Sequence, residues 1–275
     1  MRMSNLDPSD ILASDARPQI AIAEGLRNGW FEIWYQPKID LRRKCLVGAE
    51  ALTWLCRPEV GEQPAQDCVA ADDASAAELA EHALMTVLSD WSAFESAGFN
   101  LHLALNVPAT ILQDVAIVEL TREYRPRSER WPGLILEVTE DQIVRNIKLA
   151  KELASTLRAS GVTIAIDEFG AGYSSFSSLR ELPFAELKLA RGFVKDTATE
   201  ATNAAICQTA IDLAHRFGSL AVAEGIESAA DMQALAVMGC DFGQGALIAP
   251  PMPKARFLDL LQQRNAPAKP IGRVA

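Results

Sequence analysis

The sequence predicts an α/β protein, a single-domain parallel (β/α)8 barrel of the TIM type. Short and continuously apolar runs of strand length recur along the chain, as expected for parallel strands that are buried on both faces. Longer segments with helical apolar spacing lie between most of these runs, and such alternation is typical of a parallel barrel. The chain has 275 residues, 49% of them apolar, and this is sufficient for one domain of that kind.

The predicted elements begin with a helix in DARPQIAIAEGLRNG, which Ser14 or Asp15 can cap and Gly29 can end. The predicted strands then follow in the runs FEIWYQP, CLVGAEAL, LHLALNV, LILEVTE, TIAIDEF, AELKLA, SLAVAEG and CDFGQGALI. Two long helices, ASAAELAEHALMTVLSDWSAFESAG and NAAICQTAIDLAHRFG, are predicted to end at Gly98 and Gly218.

The pattern divides the chain into an N-terminal extension (1–16), the barrel (17–263) and a flexible tail (264–275). Residues 59–75 are the least regular interior stretch, and we expect a surface loop there.

The composition excludes several classes of function. The net charge of −10 repels phosphate, so electrostatic binding to DNA or RNA is not expected. The sequence contains neither a signal-type apolar core nor an apolar run of the roughly 18 residues that span a bilayer. The five cysteines lack zinc-site spacing and fit a reducing compartment. We therefore expect a soluble cytoplasmic protein that binds no membrane.

Polar residues lie at or near the carboxyl ends of the predicted strands. They are Glu50, Asn106, Glu137, Asp167, Glu168, Lys188, Glu224 and Gln244. In a parallel barrel these ends open on one face, which holds the active site. We therefore expect these side chains to converge.

Carboxylates gathered in this way require compensating positive charge, because like charges at close range raise each other's pKa. Oxygen donors of Asp, Glu and Asn are hard ligands that suit Mg²⁺ or Mn²⁺. The adjacent Asp167 and Glu168 suit a two-metal site, in which ions about 3.5–4 Å apart hold the attacking and leaving oxygens of a phosphoryl displacement. Lys188 could orient the attacking water or an oxyanion.

Simpler interpretations remain open for single residues. Asp167 and Glu168 could cap the next helix, and Lys188 could be an ordinary solvated or ion-paired lysine. The three histidines are interpreted as packing or surface residues, and the cysteines as small buried side chains.

Several segments together resemble one known family. WYQPKIDL, VGAEAL, LALNVPATIL, LILEVTE, IDEFGAGYSS, LPFAELKL, AVAEGIES and MGCDFGQGALIAPPMP are similar, in this order, to segments of the EAL domain family of cyclic di-GMP phosphodiesterases. The resemblance extends from about Ile20 to Pro253. It implies a modified TIM barrel that uses two Mg²⁺ or Mn²⁺ ions to hydrolyse cyclic di-GMP to linear pGpG in bacterial second-messenger signalling.

The resemblance also implies roles for individual residues. It implies as metal ligands Glu50, Asn106, Glu137, Asp167, Glu168 and Glu224. It implies as catalytic residues Lys188, Glu50 and Glu224, with Lys188 positioning the attacking water. It implies as substrate-binding positions Gln36, Leu52, Trp54 and Gln244. Glu140 is expected to stabilise the loop after Asp167, and a homodimer is expected to form through that loop.

The sequence departs from the family pattern at three positions. Trp54 stands where the family usually has an arginine that contacts a substrate phosphate, and the nearby Arg57 is out of register. Glu168 replaces the second of two paired aspartates, and Ala190 replaces an aspartate two residues after the catalytic lysine. The metal ligands are therefore retained almost whole, whereas phosphate recognition is altered.

Three functions are consistent with this pattern. The first is an active phosphodiesterase, which the retained Glu50, Asn106 and Lys188 favour. The second is a cyclic di-GMP receptor of weak or absent activity that acts through protein partners, which Trp54 and Glu168 favour. The third is a protein-interaction module that has lost the nucleotide. Regulation is expected to come from a separate protein partner or from dimerisation.

Overall fold

The computed structural model describes residues 20–58, 61–67, 69–70, 73–108, 115–145, 147–170 and 182–265. The predicted extension at 1–16 lies outside these ranges. Of the predicted tail, 264–275, the first two residues belong to a helix that ends at Asn265, and the rest lies outside the described residues. The division of the chain at these two boundaries therefore stays a prediction.

The strands are β1 (Ile20–Ala21), β2 (Phe31–Asp40), β3 (Leu46–Arg57), β4 (Gly61–Pro64), β5 (Val69–Ala70), β6 (His102–Asn106), β7 (Leu134–Thr139), β8 (Val162–Phe169), β9 (Glu186–Leu189), β10 (Leu220–Ala223), β11 (Phe242–Gly243) and β12 (Met252–Pro253). The α-helices are α1 (Ile22–Arg27), α2 (Asp73–Ser96), α3 (Val115–Tyr124), α4 (Glu140–Arg145), α5 (Ile147–Arg158), α6 (Arg191–Val194), α7 (Ala201–Arg216), α8 (Ala229–Met238) and α9 (Lys254–Asn265).

Eight of the described strands close into a barrel in the order β2, β3, β6, β7, β8, β9, β10, β11, with β11 paired to β2. The strands from β3 to β11 in this order are parallel to their neighbours, whereas β2 is antiparallel to both β3 and β11. The predicted fold class, a modified TIM-type barrel, is confirmed. The reversed strand β2 is the feature that distinguishes it from a regular parallel barrel.

The continuous apolar runs reflect burial on both faces of each strand. In β7, Leu134 and Leu136 belong to the main core between the barrel and its helices. The intervening Ile135 belongs to a separate small cluster with Ala104 and Ala165. Because side chains alternate along a strand, this second set lies inside the barrel. Residues that follow it at a spacing of two therefore lie inside the barrel as well, nearer its mouth.

The prediction of a loop over residues 59–75 is wrong in part. Within this stretch the structure forms β4, a short 3₁₀ helix (Ala65–Asp67), β5 and the beginning of α2. Strand β4 pairs with the end of β3, where Leu55 lies opposite Gln63, and β5 pairs with β1. Strand β5 has only two residues, too few to show a pattern, and β4 is a polar edge strand, so neither shows the apolar run of a buried strand.

A buried polar group fastens two helices to β2. The Tyr35 hydroxyl donates a hydrogen bond to Asp90 Oδ2 at 2.6 Å, and Lys254 Nζ donates one to Asp90 Oδ1 at 2.6 Å. The Tyr35 ring packs on Phe94 and Phe257. Burial raises the pKa of Tyr35 well above its usual value, and the charge of Asp90 adds to this effect. This contact joins α2 and α9 to the barrel.

Among the described helices, none combines the length and apolar character needed to cross a lipid bilayer.

Candidate active site

A cavity of about 700 Å³ opens at the carboxyl ends of the parallel strands. The predicted site residues that line it are Gln36, Glu50, Leu52, Asn106, Glu137, Asp167, Glu168, Glu224 and Gln244. Gln36 joins this set from the reversed strand β2, where it lies opposite Glu50 of β3. The expected convergence of the strand-end residues is therefore present in the structure.

Lys188 lies beneath the cavity floor and contacts four carboxylates. Its side chain is 1% exposed. The Nζ atom lies 2.5 Å from Glu137 Oε2 and 2.5 Å from Glu224 Oε1. It is 3.4 Å from Asp167 Oδ1 and 3.5 Å from Glu50 Oε2. Burial alone would lower the pKa of Lys188, but the four carboxylates, Glu137 foremost, raise it well above its usual value. The ammonium group therefore stays charged.

One ammonium group does not neutralise four carboxylates, and the pKa values of three of them are shifted. Burial and the charge of Glu50 raise the pKa of Glu137 well above its usual value. Burial also raises the pKa of Glu224 to about 8, although Lys188 opposes this. For Glu50, burial is outweighed by the charge of Lys188 and by hydrogen bonds, so its pKa is lowered. The site is therefore short of positive charge.

Two amides hold Glu50 in place. Asn106 Nδ2 donates a hydrogen bond to Glu50 Oε1 at 2.5 Å, and Gln244 Nε2 donates one to Glu50 Oε2. Gln244 Nε2 also lies 3.5 Å from Glu224 Oε1. The other end of this amide, Gln244 Oε1, is buried without a partner among the described residues. It is an acceptor available to a group that enters the cavity.

The paired carboxylates at the end of β8 differ in their surroundings. Asp167 is buried, and its Oδ1 accepts a hydrogen bond of 2.8 Å from the backbone N–H of Glu168. Glu168 is exposed at the rim and has a backbone φ of 53°. This is the left-handed region, which aspartate and asparagine tolerate better than glutamate does. Of the two residues, Asp167 therefore reaches the Lys188 cluster, whereas Glu168 faces the opening.

The remaining predicted site residues lie outside the cavity lining. Glu140 Oε2 accepts a hydrogen bond of 2.9 Å from the backbone N–H of Gly170, at the beginning of the loop that it was expected to stabilise. Residues 171–181 of that loop, where the dimer contact was predicted, lie outside the described residues.

Trp54 does not line this cavity. Its indole stacks on Trp34 of β2, with ring centroids 4.0 Å apart and planes at 8°. It faces an adjoining apolar pocket of about 400 Å³ between β3, the 3₁₀ helix and α2. The predicted role of Trp54 as a substrate-binding residue therefore lacks a contact with the cavity that contains the carboxylates. Arg57 lies over the Trp30 ring at 4.7 Å and does not line the cavity either.

The residues fit divalent cations by their donor chemistry. Within the described ranges, no group of three acidic, histidine or cysteine side chains is arranged to enclose a metal ion, and Lys188 Nζ lies among the carboxylates. The oxygen donors are nevertheless those that Mg²⁺ and Mn²⁺ prefer. The raised pKa values of Glu137 and Glu224 and the unpaired Gln244 Oε1 both indicate room for further positive charge.

Sequence reasoning missed several residues of the cavity wall. They include Gln66, Thr139, Gln142, Arg191, Gly225 and Glu227. Arg191 is the first residue of α6, two positions after β9 ends. Its position just beyond a strand end is the sequence signal for a place near the barrel mouth, although the packing that holds its side chain is non-local.

Comparison with known proteins places this site in a family. The model of the EAL domain matches residues 19–251. The cyclic di-GMP phosphodiesterase RocR of Pseudomonas aeruginosa is 33% identical over 88% of this chain and 63% of its own length. The cyclic di-GMP phosphodiesterase PA2567 of the same organism is 33% identical over 94% of this chain and 44% of its own length. The chain thus spans less than two thirds of the length of these two relatives.

Solved structures agree with the sequence comparison. The PaMucR phosphodiesterase in complex with c-di-GMP superposes with a TM-score of 0.78 and 29% identity, over 86% of this chain and 97% of that one. These matches lead to one conclusion, and the barrel with its reversed strand and the carboxylates around Lys188 agree with it. The chain belongs to the EAL domain family.

Proposed function

We propose that this protein is a phosphoric diester hydrolase that converts cyclic di-GMP to linear pGpG in a reaction dependent on Mg²⁺ or Mn²⁺. One observation carries this proposal. A buried, charged lysine and four carboxylates converge beneath a cavity at the active-site face of an EAL barrel. The cavity of about 700 Å³ lies within the range of about 300–1,000 Å³ that small-molecule sites occupy.

The proposed ligands of two divalent ions are Glu50, Asn106, Glu137, Asp167, Glu168 and Glu224. Such ions, when bound, polarise the phosphate and make a bound water nucleophilic near neutral pH. Asn106 and Gln244 orient Glu50 through its two oxygens. Gln36, Leu52 and Gln244 line the cavity where the nucleotide would lie.

Lys188 has a defined part in this chemistry. Its ammonium group is charged and has only donors, so it can donate a hydrogen bond to a water oxygen or a phosphoryl oxygen but cannot take a proton. A base must therefore be supplied by the surrounding carboxylates. Lys188 positions the attacking water, which stabilises the transition state more than the bound substrate.

A second candidate function is that of a cyclic di-GMP receptor with weak or no activity. It is favoured by Trp54, which stacks on Trp34 and supplies no charge to the cavity, and by the exposed side chain of Glu168. We further propose a cytoplasmic location, a homodimer that involves the loop after Asp167, and a regulatory protein partner.

The test is incubation of the purified protein with cyclic di-GMP and Mn²⁺ or Mg²⁺, with chromatographic separation of the products. Samples with EDTA in place of the metal serve as controls. Metal-dependent accumulation of pGpG would support the hydrolase. Nucleotide binding in calorimetry without product would support the receptor, and the absence of both binding and product would exclude both functions.

A further inference from the structure

The cavity wall carries an unusual distribution of charge. Six of its described lining residues are acidic, namely Glu50, Glu137, Asp167, Glu168, Glu224 and Glu227. Within the described lining, a single residue is basic, and it is Arg191. Lys188 lies below the surface and is engaged by carboxylates. Among the described residues of the lining, Arg191 is therefore the one exposed cation that an anionic ligand meets in this cavity.

Arg191 is held at the cavity mouth by two contacts. Its guanidinium Nη2 donates a hydrogen bond to Glu227 Oε1. Its aliphatic stem lies against Gly225, where a Cβ atom would overlap the Arg191 Cγ, and Gly225 has a φ of 65° that glycine adopts without strain. The stem is therefore positioned by packing at Gly225, although the side chain as a whole is 69% exposed.

The contact with Glu227 does not prevent Arg191 from binding a ligand. Exposed ion pairs contribute little to stability, because both groups are well solvated and their side chains lose entropy on pairing. A phosphate diester offers two oxygens that match the planar fork of a guanidinium group, and such charge-assisted pairs are among the stronger hydrogen bonds. The packing of the stem at Gly225 thus keeps Arg191 near the opening, and Glu227 does not compete strongly with a phosphate.

We propose that Arg191 is a substrate-binding residue that contacts a phosphate diester of the cyclic dinucleotide at the cavity mouth. This inference rests on the proposed function, because it concerns the ligand of the same cavity. Arg191 provides the cationic contact that neither Trp54, stacked on Trp34, nor Arg57, stacked on Trp30, offers to the cavity.

The experiment is a calorimetric titration of cyclic di-GMP in the presence of Ca²⁺, which is expected to occupy the metal sites without rapid turnover. Arg191→Ala is expected to weaken binding by about 10- to 100-fold, and Arg191→Lys is expected to recover part of that loss. The matched control is Arg158→Ala, which removes the same charge from the exposed end of α5, at the opposite end of the barrel. Its affinity should equal that of the unmodified protein.

A purely structural role of the ion pair predicts a different result. In that case Glu227→Gln, which also breaks the pair, should weaken binding as much as Arg191→Ala does, and this outcome would overturn the inference. We expect instead that Glu227→Gln binds cyclic di-GMP as tightly as the unmodified protein or more tightly, because it removes a negative charge from the cavity. Steady-state kinetics in Mn²⁺ should show a larger rise in KM than fall in kcat for Arg191→Ala.

The failures of the two proposals are distinguishable. If the unmodified protein binds cyclic di-GMP and Arg191→Ala binds it equally well, the inference about Arg191 is wrong and the proposed function stands. If the unmodified protein binds no cyclic di-GMP, both are wrong. Equal thermal unfolding temperatures of the unmodified protein and Arg191→Ala are expected, since the side chain is largely exposed.

Discussion

Replacement of Lys188 by methionine should make the stability of this protein depend on divalent metal. Lys188→Met retains an unbranched side chain but removes the charge that four carboxylates share. Removal of one partner from a buried ion pair typically costs about 3–5 kcal/mol. For a chain of about this size the corresponding fall in unfolding temperature is roughly 6–20 °C. Protonation of Glu137 and Glu224, whose pKa values are already raised, would keep the loss of unfolding free energy near the lower end of this range.

The assay is thermal unfolding followed by circular dichroism, first in EDTA and then with increasing Mg²⁺. A ligand at 100 times its Kd stabilises the folded state by about 2.7 kcal/mol, so Mg²⁺ should restore much of the lost unfolding temperature. The matched control is Lys38→Met. Lys38 is, among the described residues, the other lysine that is 1% exposed, and the one described ion pair that it makes is with Glu186 at 2.6 Å. Lys38→Met should lose stability to a similar extent, but Mg²⁺ should raise its unfolding temperature less than it raises that of Lys188→Met.

Two results would refute the reasoning. If Lys188→Met unfolds at the same temperature as the unmodified protein in EDTA, the contacts of Lys188 do not stabilise the fold. If Mg²⁺ raises the unfolding temperatures of Lys188→Met and Lys38→Met equally, the carboxylates at the cavity do not bind the metal.

Three further outcomes are expected. Glu50→Ala should reduce pGpG formation by at least about 100-fold while far-UV circular dichroism shows an intact fold, and undiminished turnover would contradict the role of Glu50 as a ligand. Tyr35→Phe should cost about 1–3 kcal/mol in urea unfolding near pH 8, since Asp90 loses a buried donor. Because the pKa of Tyr35 is raised, the folded protein keeps the phenolic proton to a higher pH than the unfolded chain does. The stability that this adds is present below a pH of about 10 and falls by about 1.4 kcal/mol per pH unit above it. The difference in unfolding free energy between Tyr35→Phe and the unmodified protein should therefore narrow toward a pH of about 11. Glu168→Asp should stabilise the protein by up to about 1 kcal/mol in the same assay, because aspartate tolerates the left-handed backbone better, and a loss of stability would be inconsistent with strain at that residue.

The barrel was predictable because its signals are local. Each apolar strand and each amphipathic helix is recognisable from its own short segment of the sequence. Their alternation along the chain predicts the correct architecture. The direction of β2 was not visible, since FEIWYQP is buried on both faces and this pattern is the same for either direction. The short strand β4 was missed because it is a polar partner on the edge of β3.

The cavity residues likewise divide into those that the local sequence pattern predicts and those that depend on contacts between distant segments. Glu137 and Asp167 follow the interior residues Ile135 and Ala165 at a spacing of two, so alternation alone places their side chains inside the barrel. The position of the Arg191 side chain depends on its packing against Gly225, which lies in the segment after a different strand. This is a non-local contact that no window of the sequence shows.

Trp54 likewise depends on a contact between two strands. Its position after Glu50 in the sequence suggested a place beside the substrate, but the pairing of β2 with β3 brings it onto the ring of Trp34. The position of Trp54 in the motif correctly predicts its strand and the face of that strand on which it lies. Its side chain nevertheless lies too far along β3 to reach the cavity and lines the adjoining pocket instead.

Among the described residues two lysines are fully buried, Lys38 and Lys188, and their surroundings differ. Lys38 pairs with Glu186 in a one-to-one contact between strands β2 and β9 inside the barrel, so charge is balanced there. Two residues further along β9, Lys188 meets four carboxylates. A surplus of buried negative charge destabilises a fold, because each desolvated carboxylate costs free energy that one ammonium group cannot offset. Stability alone would favour the arrangement around Lys38 at both ends. This surplus is the reason for the proposed binding of a cation at the cavity, and the comparison of the two methionine variants tests that proposal directly.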